Sequence, residues 1–426
     1  MSDAHGELTK LVQRDQAAIA CPYPIFEQLR AESPIVWHEE LGAWVATRYD
    51  DVREILRDTE QWSSVSPTSP LGRASMLADA MAQLMTEPGM PELAAAAMGD
   101  RRNAAVLLNA DPPQHVRQRK AVNRAFRPGR IRSMQADVQA LSESLVSSFV
   151  DRGSVEFVAE YAVPLPMTII AGALGVGDSD LQQFKDWSDD LVMPVGNSSP
   201  SPDQVRDFLT STKEFGDFMS ELLDERAVNP TDDIISDVAT AEVDGATLTE
   251  AEKISMLTQF LVAGNETTTK MITNIAFHLA TNPQLFERVR SDRSLVDGVV
   301  EEALRYEAPV GGLFRLAKTD VTMGDVAIAK GESVWVIYAA ANRDPERFAC
   351  PNDFDPGRAD VREHLAFGHG EHFCIGAGLA RMEGVVATNA ILDHLPDLRL
   401  SDQHVESFED SFVLRGMKSL HLEFAT

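Results

Sequence analysis

The sequence predicts a mainly α chain with minor β sheets. Helical apolar periodicity dominates from about Asp137 to Tyr306, β-prone runs are confined to two patches, and no Gly/Ser linker, low-complexity tract or repeat divides the 426 residues. With 44% apolar residues the chain can bury a large core, and a single domain over residues 1–426 is expected.

In chain order, Pro34 to Tyr49 reads as a hairpin, two β-prone runs around Leu41-Gly42, and Asp50 to Asp58 as a short helix. The helical stretch is broken at Val195 to Pro202, VGNSSPSP, a loop by its Gly, Asn, Ser and Pro content. A helical run then starts near Thr249, and a second β-rich patch spans Asp320 to Tyr338 with a turn at Gly331. Near the end, FGHGEHFCIG (Phe367 to Gly376) leads into IGAGLARMEGVVATNAILDHL, whose periodicity is again helical.

Charge and composition exclude several functions. A net charge of −28 argues against nucleic acid or an anionic membrane as partners, since both attract basic surfaces. The N-terminus is too polar for a signal peptide, and no segment supplies the roughly twenty apolar residues of a membrane span, so a soluble, cytoplasmic protein is expected. Three separated cysteines, Cys21, Cys350 and Cys374, give no disulfide framework. One stretch runs against the acidic balance: from Gln114 to Arg132 there are seven basic residues and no acid. Such a run is either a solvated helix face or a docking site.

The loop around Cys374 carries the chemistry. Glycines at 368, 370, 376 and 378 permit the positive φ angles that turn amides toward a sulfur, and a following helix adds its favourable N-terminal dipole. On residue type alone Cys374 is either a small buried hydrophobe or a metal ligand. A zinc site from His369, His372 and Cys374 lacks its fourth ligand.

Phe367, Gly370, His372, Cys374 and Gly376 fill, in order, the pattern Phe-x-x-Gly-x-(Arg/His)-x-Cys-x-Gly, so the loop resembles the haem-binding signature of the cytochrome P450 family. Three further elements stand in the family's order, and the resemblance covers nearly the whole chain. LVAGNETTTK (Leu261 to Lys270) resembles the acid-threonine element of the long helix over the haem's oxygen side. Glu302-Ala303-Leu304-Arg305 matches Glu-x-x-Arg, and Asp111 to Arg119 resembles Asp-Pro-Pro-x-His-x-x-x-Arg. The resemblance implies a triangular α-rich body with a small β-rich region and haem b held through Cys374 as axial iron ligand. Phe367, Gly370 and Gly376 would shape the bed, and His115, Arg119, Arg315 and His372 would hold the propionates. Ala263 and Gly264 would approach the haem closely, with Thr267 and Glu266 handling oxygen and protons. Arg347 would complete a folding network with Glu302 and Arg305.

The implied activity is that of a monooxygenase acting on an apolar molecule such as a terpenoid, steroid, fatty acid or aromatic. Electrons would come from NAD(P)H through a reductase and an acidic ferredoxin, of the 2Fe-2S kind or similar, docking on outward-facing Arg117, Lys120 and Arg124. A peroxide-driven enzyme and a non-catalytic haem sensor or carrier are the rivals, and the Glu266-Thr267 pair speaks against both. By order along the chain, substrate would meet the methionines 76, 81, 85, 90 and 98, Phe260 and Leu261, Val310 to Phe314 and Phe412 to Leu414. Val195 to Pro202 would form a mobile lid tip.

Overall fold

Long helices need large apolar partners, and the longest here, Glu250–Thr281, is packed on several sides. Thr249 and Glu252 cap its start reciprocally, the side chain of each accepting from the other's backbone N–H. Its buried residues, among them Leu257, Leu261, Met271, Ile272, Ile275 and Leu279, run round the cylinder. Against them pack helices Pro164–Leu174, Leu181–Val192, Val296–Tyr306 and Ala377–His394. The structure is a computed structural model, and it describes residues 3–70, 78–99, 104–176, 181–197, 199–243 and 245–426.

The β structure is minor. Five short strands join in the order Ile35–His38, Ala43–Ala46, Ser333–Val336, Leu313–Ala317 and Trp62–Ser63. The first two form the expected hairpin, with Gly42 at φ 63° where the turn needs a left-handed residue. Ser333–Val336 runs parallel to Ala43–Ala46 and antiparallel to Leu313–Ala317. The strand Leu313–Ala317 carries Arg315 but lies outside the predicted β patch. Its sequence LFRLA has no clean alternation because the strand is covered on both faces.

Three expectations about the substrate side change. Met81, Met85, Met90 and Met98 belong to a separate apolar cluster with Leu84, Ala94, Val205 and Leu209, between helices Ala78–Leu84 and Met90–Met98 and helix Pro202–Val228. Met90 is buried there and Met81, Met85 and Met98 pack against it half-buried, and Met76 lies outside the described residues. Phe260 and Leu261 are also core, 5% and 0% exposed, with Phe260 packed on Phe126 at 5.2 Å between ring centres. Nor is the 195–202 segment a free lid tip over its first residues. Gly196, at φ 71°, leaves no room for a Cβ, which would lie 2.8 Å from the Val413 nitrogen. Ser411 Oγ donates to the Val195 carbonyl at 2.9 Å, pinning the loop to the C-terminal turn. Ser198 lies outside the described residues.

Candidate active site

The cysteine loop turns through Gly368 and Gly370, at φ 71° and 72°. A Cβ on Gly370 would come 2.9 Å from the Leu56 carbonyl oxygen, so the loop can press on helix Tyr49–Arg57 only with glycine there. Gly376 works differently: at φ −82° it caps helix Ala377–His394, and a Cβ on it would stand 3.9 Å from Cys374 Sγ. The Cys374 N–H donates to the Phe367 carbonyl at 2.9 Å, closing the loop. Burial pushes the thiol up, opposed by the Gly376 N–H, Arg119, Arg381 and the Ala377 N–H. Cys374 as a whole residue is nonetheless exposed. It stands on the wall of a hollow of about 460 Å³ shared with Phe126, Ile131, Arg132, Phe373 and Met382. Among the described residues no three His, Cys, Asp or Glu side chains come together as a metal site, so His369 and His372 do not join Cys374 in one.

Beside this loop two histidines and two arginines assemble from three segments, helix Gln114–Val122, strand Leu313–Ala317 and the cysteine loop itself. His115 and His372 lie with ring centres 4.1 Å apart, and His115 Nδ1 and His372 Nε2 are buried without hydrogen-bond partners. Arg119 donates to the Phe373 carbonyl at 2.8 Å, and Arg315, 4% exposed, donates to the Phe314 carbonyl at 2.8 Å and bonds Tyr338. Burial first, then Arg315, His115 and Arg119, push His372 down to about 3. His115 is lowered for the same reasons, by burial and Arg119, with Asp111 opposing. His372 is therefore neutral at physiological pH in the protein alone. The nearby carboxylate, Asp111, is engaged by the Ser64 N–H at 2.8 Å. Orphaned buried nitrogens flanked by two guanidinium groups fit anionic carboxylates.

On the long helix, Ala263 is exposed and Thr267 is half-buried, its hydroxyl donating to the Ala263 carbonyl at 2.9 Å. Gly264 has a packing reason within the protein. A Cβ there would lie 2.9 Å from Ile170 of helix Pro164–Leu174, so the missing side chain lets two helices close together. Glu266 is bound to Lys270 Nζ at 2.8 Å, with the two side chains 13% and 5% exposed. Burial alone would raise the Glu266 carboxyl, but the charge and hydrogen bond of Lys270 outweigh it and hold it below the ordinary range. Lys270 went unremarked in the sequence, although Glu-x-x-x-Lys is a visible i,i+4 pair.

Glu302 and Arg305 meet as expected, through bonds of 2.7 and 2.8 Å, both fully buried. The third member differs. Arg347 pairs with Glu363 at the surface, whereas Arg358, 8% exposed, reaches Glu302 at 3.4 Å. Arg358 also donates to the Cys350 and Asp353 carbonyls at 3.1 and 3.2 Å, so the strap ahead of the cysteine loop is tied by it. A second unanticipated residue, Arg381, bonds Glu301 at 2.7 Å and covers the Phe367 ring at 4.6 Å.

The basic island is partly neutralised. Arg117 donates to Glu252 at 2.9 Å, and Arg124 lies 3.6 Å from Asp237, which also binds Arg130. Arg117 is thus turned inward to Glu252, whereas Arg124 and Lys120 are exposed as expected. The acids come from segments remote in sequence, which is why the run looked unopposed.

No helix among the described residues is long and apolar enough to cross a membrane. The sequence matches the family described as Cytochrome P450 over residues 88–421. It is 35% identical to cytochrome P450 107B1 of Saccharopolyspora erythraea, covering 97% of this chain and 98% of that one. It is 33% identical to a steroid C26-monooxygenase of Mycobacterium tuberculosis, covering 93% and 98%. The crystal structure of CYP109E1 from Bacillus megaterium in complex with testosterone superposes with a TM-score of 0.81 at 29% identity, covering 95% and 99%. Helix-dominated architecture, cysteine loop and full-length likeness agree: the chain belongs to the cytochrome P450 family and is a monooxygenase of that family.

Proposed function

We propose that this enzyme binds haem through Cys374 and oxidises a steroid-sized apolar molecule with electrons from a ferredoxin. The observation that carries the haem placement is the pair of orphaned buried nitrogens, His115 Nδ1 and His372 Nε2, beside the loop that presents Cys374. These residues fit the group. Arg119, Arg315 and the two histidines would take its carboxylates, and the Gly376 and Ala377 N–H groups with Arg119 and Arg381 would stabilise a thiolate at Cys374. Burial that disfavours a free thiolate is overcome once a cation binds the sulfur, because a coordinating thiol loses its proton outright. Haem supplies the iron at which dioxygen is reduced and one oxygen atom becomes available for the substrate.

The chain's own residues then handle protons. Thr267, anchored to the Ala263 carbonyl through its hydrogen, keeps its oxygen lone pairs free to accept. Glu266, held as a carboxylate one residue before it, can take a proton from the solvent side and return to the ionised form after passing it on. The steroid class is supported by the names of two similar proteins, the C26-monooxygenase and the testosterone complex. Lys120 and the apolar hollow near Cys374 support an acidic ferredoxin as electron donor.

Reconstituted with haem, reduced and exposed to carbon monoxide, the protein is expected to show the red-shifted Soret band of thiolate ligation. Cys374→Ser should lose that band, and testosterone should shift the resting spectrum. A variant Cys374→Ser with an unchanged band would overturn the ligand assignment, and no shift with any steroid would overturn the substrate class alone.

A further inference from the structure

The Glu266–Lys270 pair is enclosed rather than set at the surface. Lys270 is 4% exposed, and its stem threads past Gly416, where a Cβ would lie 2.3 Å from Lys270 Cγ. Glycine at 416 is thus a requirement for placing the ammonium inside the protein. The charged groups facing the pair are few. From helix Leu181–Val192 come Lys185 and Asp189, themselves paired, and Ser188, which bonds Glu266. From the C-terminal segment comes Glu409. Asn265 Nδ2 donates to Glu266 Oε1 at 3.3 Å, while Lys270 holds Oε2. Both carboxylate oxygens of Glu266 therefore accept a hydrogen bond, and among the described residues the only cation in contact with it is Lys270.

We infer that Lys270 is a positioning residue that keeps Glu266 ionised and oriented beside Thr267, and so sets the pH range in which Glu266 exchanges a proton. This rests on the reading above, in which Glu266 and Thr267 handle protons. The step balances simply: Glu266 gains a proton from the solvent side and loses it toward Thr267, returning to the carboxylate that Lys270 pairs. An opposite charge in contact depresses a carboxyl pKa by roughly 1–3 pH units, and removing it restores that interval.

The test uses the haem-loaded protein and an infrared pH titration of the protonated-carboxyl stretch, assigned to Glu266 by its loss in Glu266→Gln. In Lys270→Met this band should appear at least about one pH unit higher than in the parent, and in Lys270→Arg close to the parent's position. Peroxide release under NADPH, ferredoxin reductase and ferredoxin should shift its pH profile in the same direction in Lys270→Met. It should show no further shift when Lys270→Met is added to Glu266→Gln. A band that titrates identically in Lys270→Met and the parent overturns the role of Lys270. Glu266→Gln without effect on the pH profile of peroxide release overturns instead the proton-handling reading. Should Lys270→Met fail to fold, Gly416→Ala, which crowds the lysine stem without removing charge, decides by the same titration: a raised band supports the role and an unmoved one overturns it.

Discussion

Removing Glu302 should be among the most damaging single changes in the chain, and the structure allows its size to be worked out. Glu302 accepts from Arg305 Nε and Nη2 at 2.7 and 2.8 Å, from the Asp355 N–H at 2.9 Å and from Arg358 at 3.4 Å. In Glu302→Ala the guanidinium of Arg305 keeps the carbonyls of Asn342, Pro351 and Asp353 but has lost its counter-anion at a site with 0% exposure. Breaking a buried pair from one side costs about 3–5 kcal/mol, because a charge is left uncompensated. An unfolding entropy of about 2.1 cal/mol/K per residue gives about 0.9 kcal/mol/K for a chain of 426 residues, so the midpoint should fall by about 3–6 °C. Far-UV circular dichroism melts of the haem-loaded protein measure this. Arg358→Ala should lower the midpoint by about 2–3 °C, since it removes a nearly buried donor to the same carboxylate. Arg347→Ala should stay within about 1 °C, because its pair with Glu363 is 31% and 54% exposed. If Arg347→Ala is as harmful as Glu302→Ala while Arg358→Ala is neutral, the network has been drawn through the wrong arginine.

Glu383, 2% exposed with Oε2 unpaired, is pushed by burial up to about 8 and folds as the neutral acid. The folded state then binds a proton that the unfolded chain releases above about pH 4.5, so stability falls as pH rises from there to about 8. Glu383→Gln should remove that slope, raising the midpoint at pH 8 relative to pH 5 by about 1.5 °C for each pH unit crossed; parallel melting curves for parent and variant would refute it. For electron entry, Lys120→Glu should slow ferredoxin-driven reduction about fivefold at low salt, close to 1 kcal/mol, and leave dithionite reduction unchanged. Equal slowing with both reductants would remove Lys120 from the docking face. Arg117 is a poor probe for this purpose, since a reversed charge there would repel Glu252 and disturb the cap of the long helix.

Much of the fold was legible because its signals are local. The hairpin at Gly42, the helix start near Thr249 and the helix after Cys374 are each written within a few residues. The cysteine loop and the Glu-x-x-Arg pair were legible for the same reason. What the sequence hides is which face a residue turns to and what meets it there. Arg347 and Arg358 both precede the cysteine loop, and only the path of the strap decides that one is buried against Glu302 and the other lies at the surface. Arg117 and Arg124 belong to an acid-free run, yet their acids, Glu252 and Asp237, arrive from elsewhere in the chain. Gly264 suggested space for a cofactor, and the protein atoms that need the space belong to Ile170.

Lys270 shows most sharply how burial changes the meaning of a spacing. As a pattern, Glu266-x-x-x-Lys270 is an ordinary helix pair, contributing about 0.2–0.5 kcal/mol if it faces solvent. Enclosed by the C-terminal segment, with Gly416 making room for its stem, the same pair becomes a coupled charge in which removing one member leaves the other uncompensated. The charge state of Glu266 is therefore not defined by the Glu-Thr motif alone. Its protonation is set by a lysine one turn on and by a glycine near the end of the chain, two residues that a motif search has no reason to join.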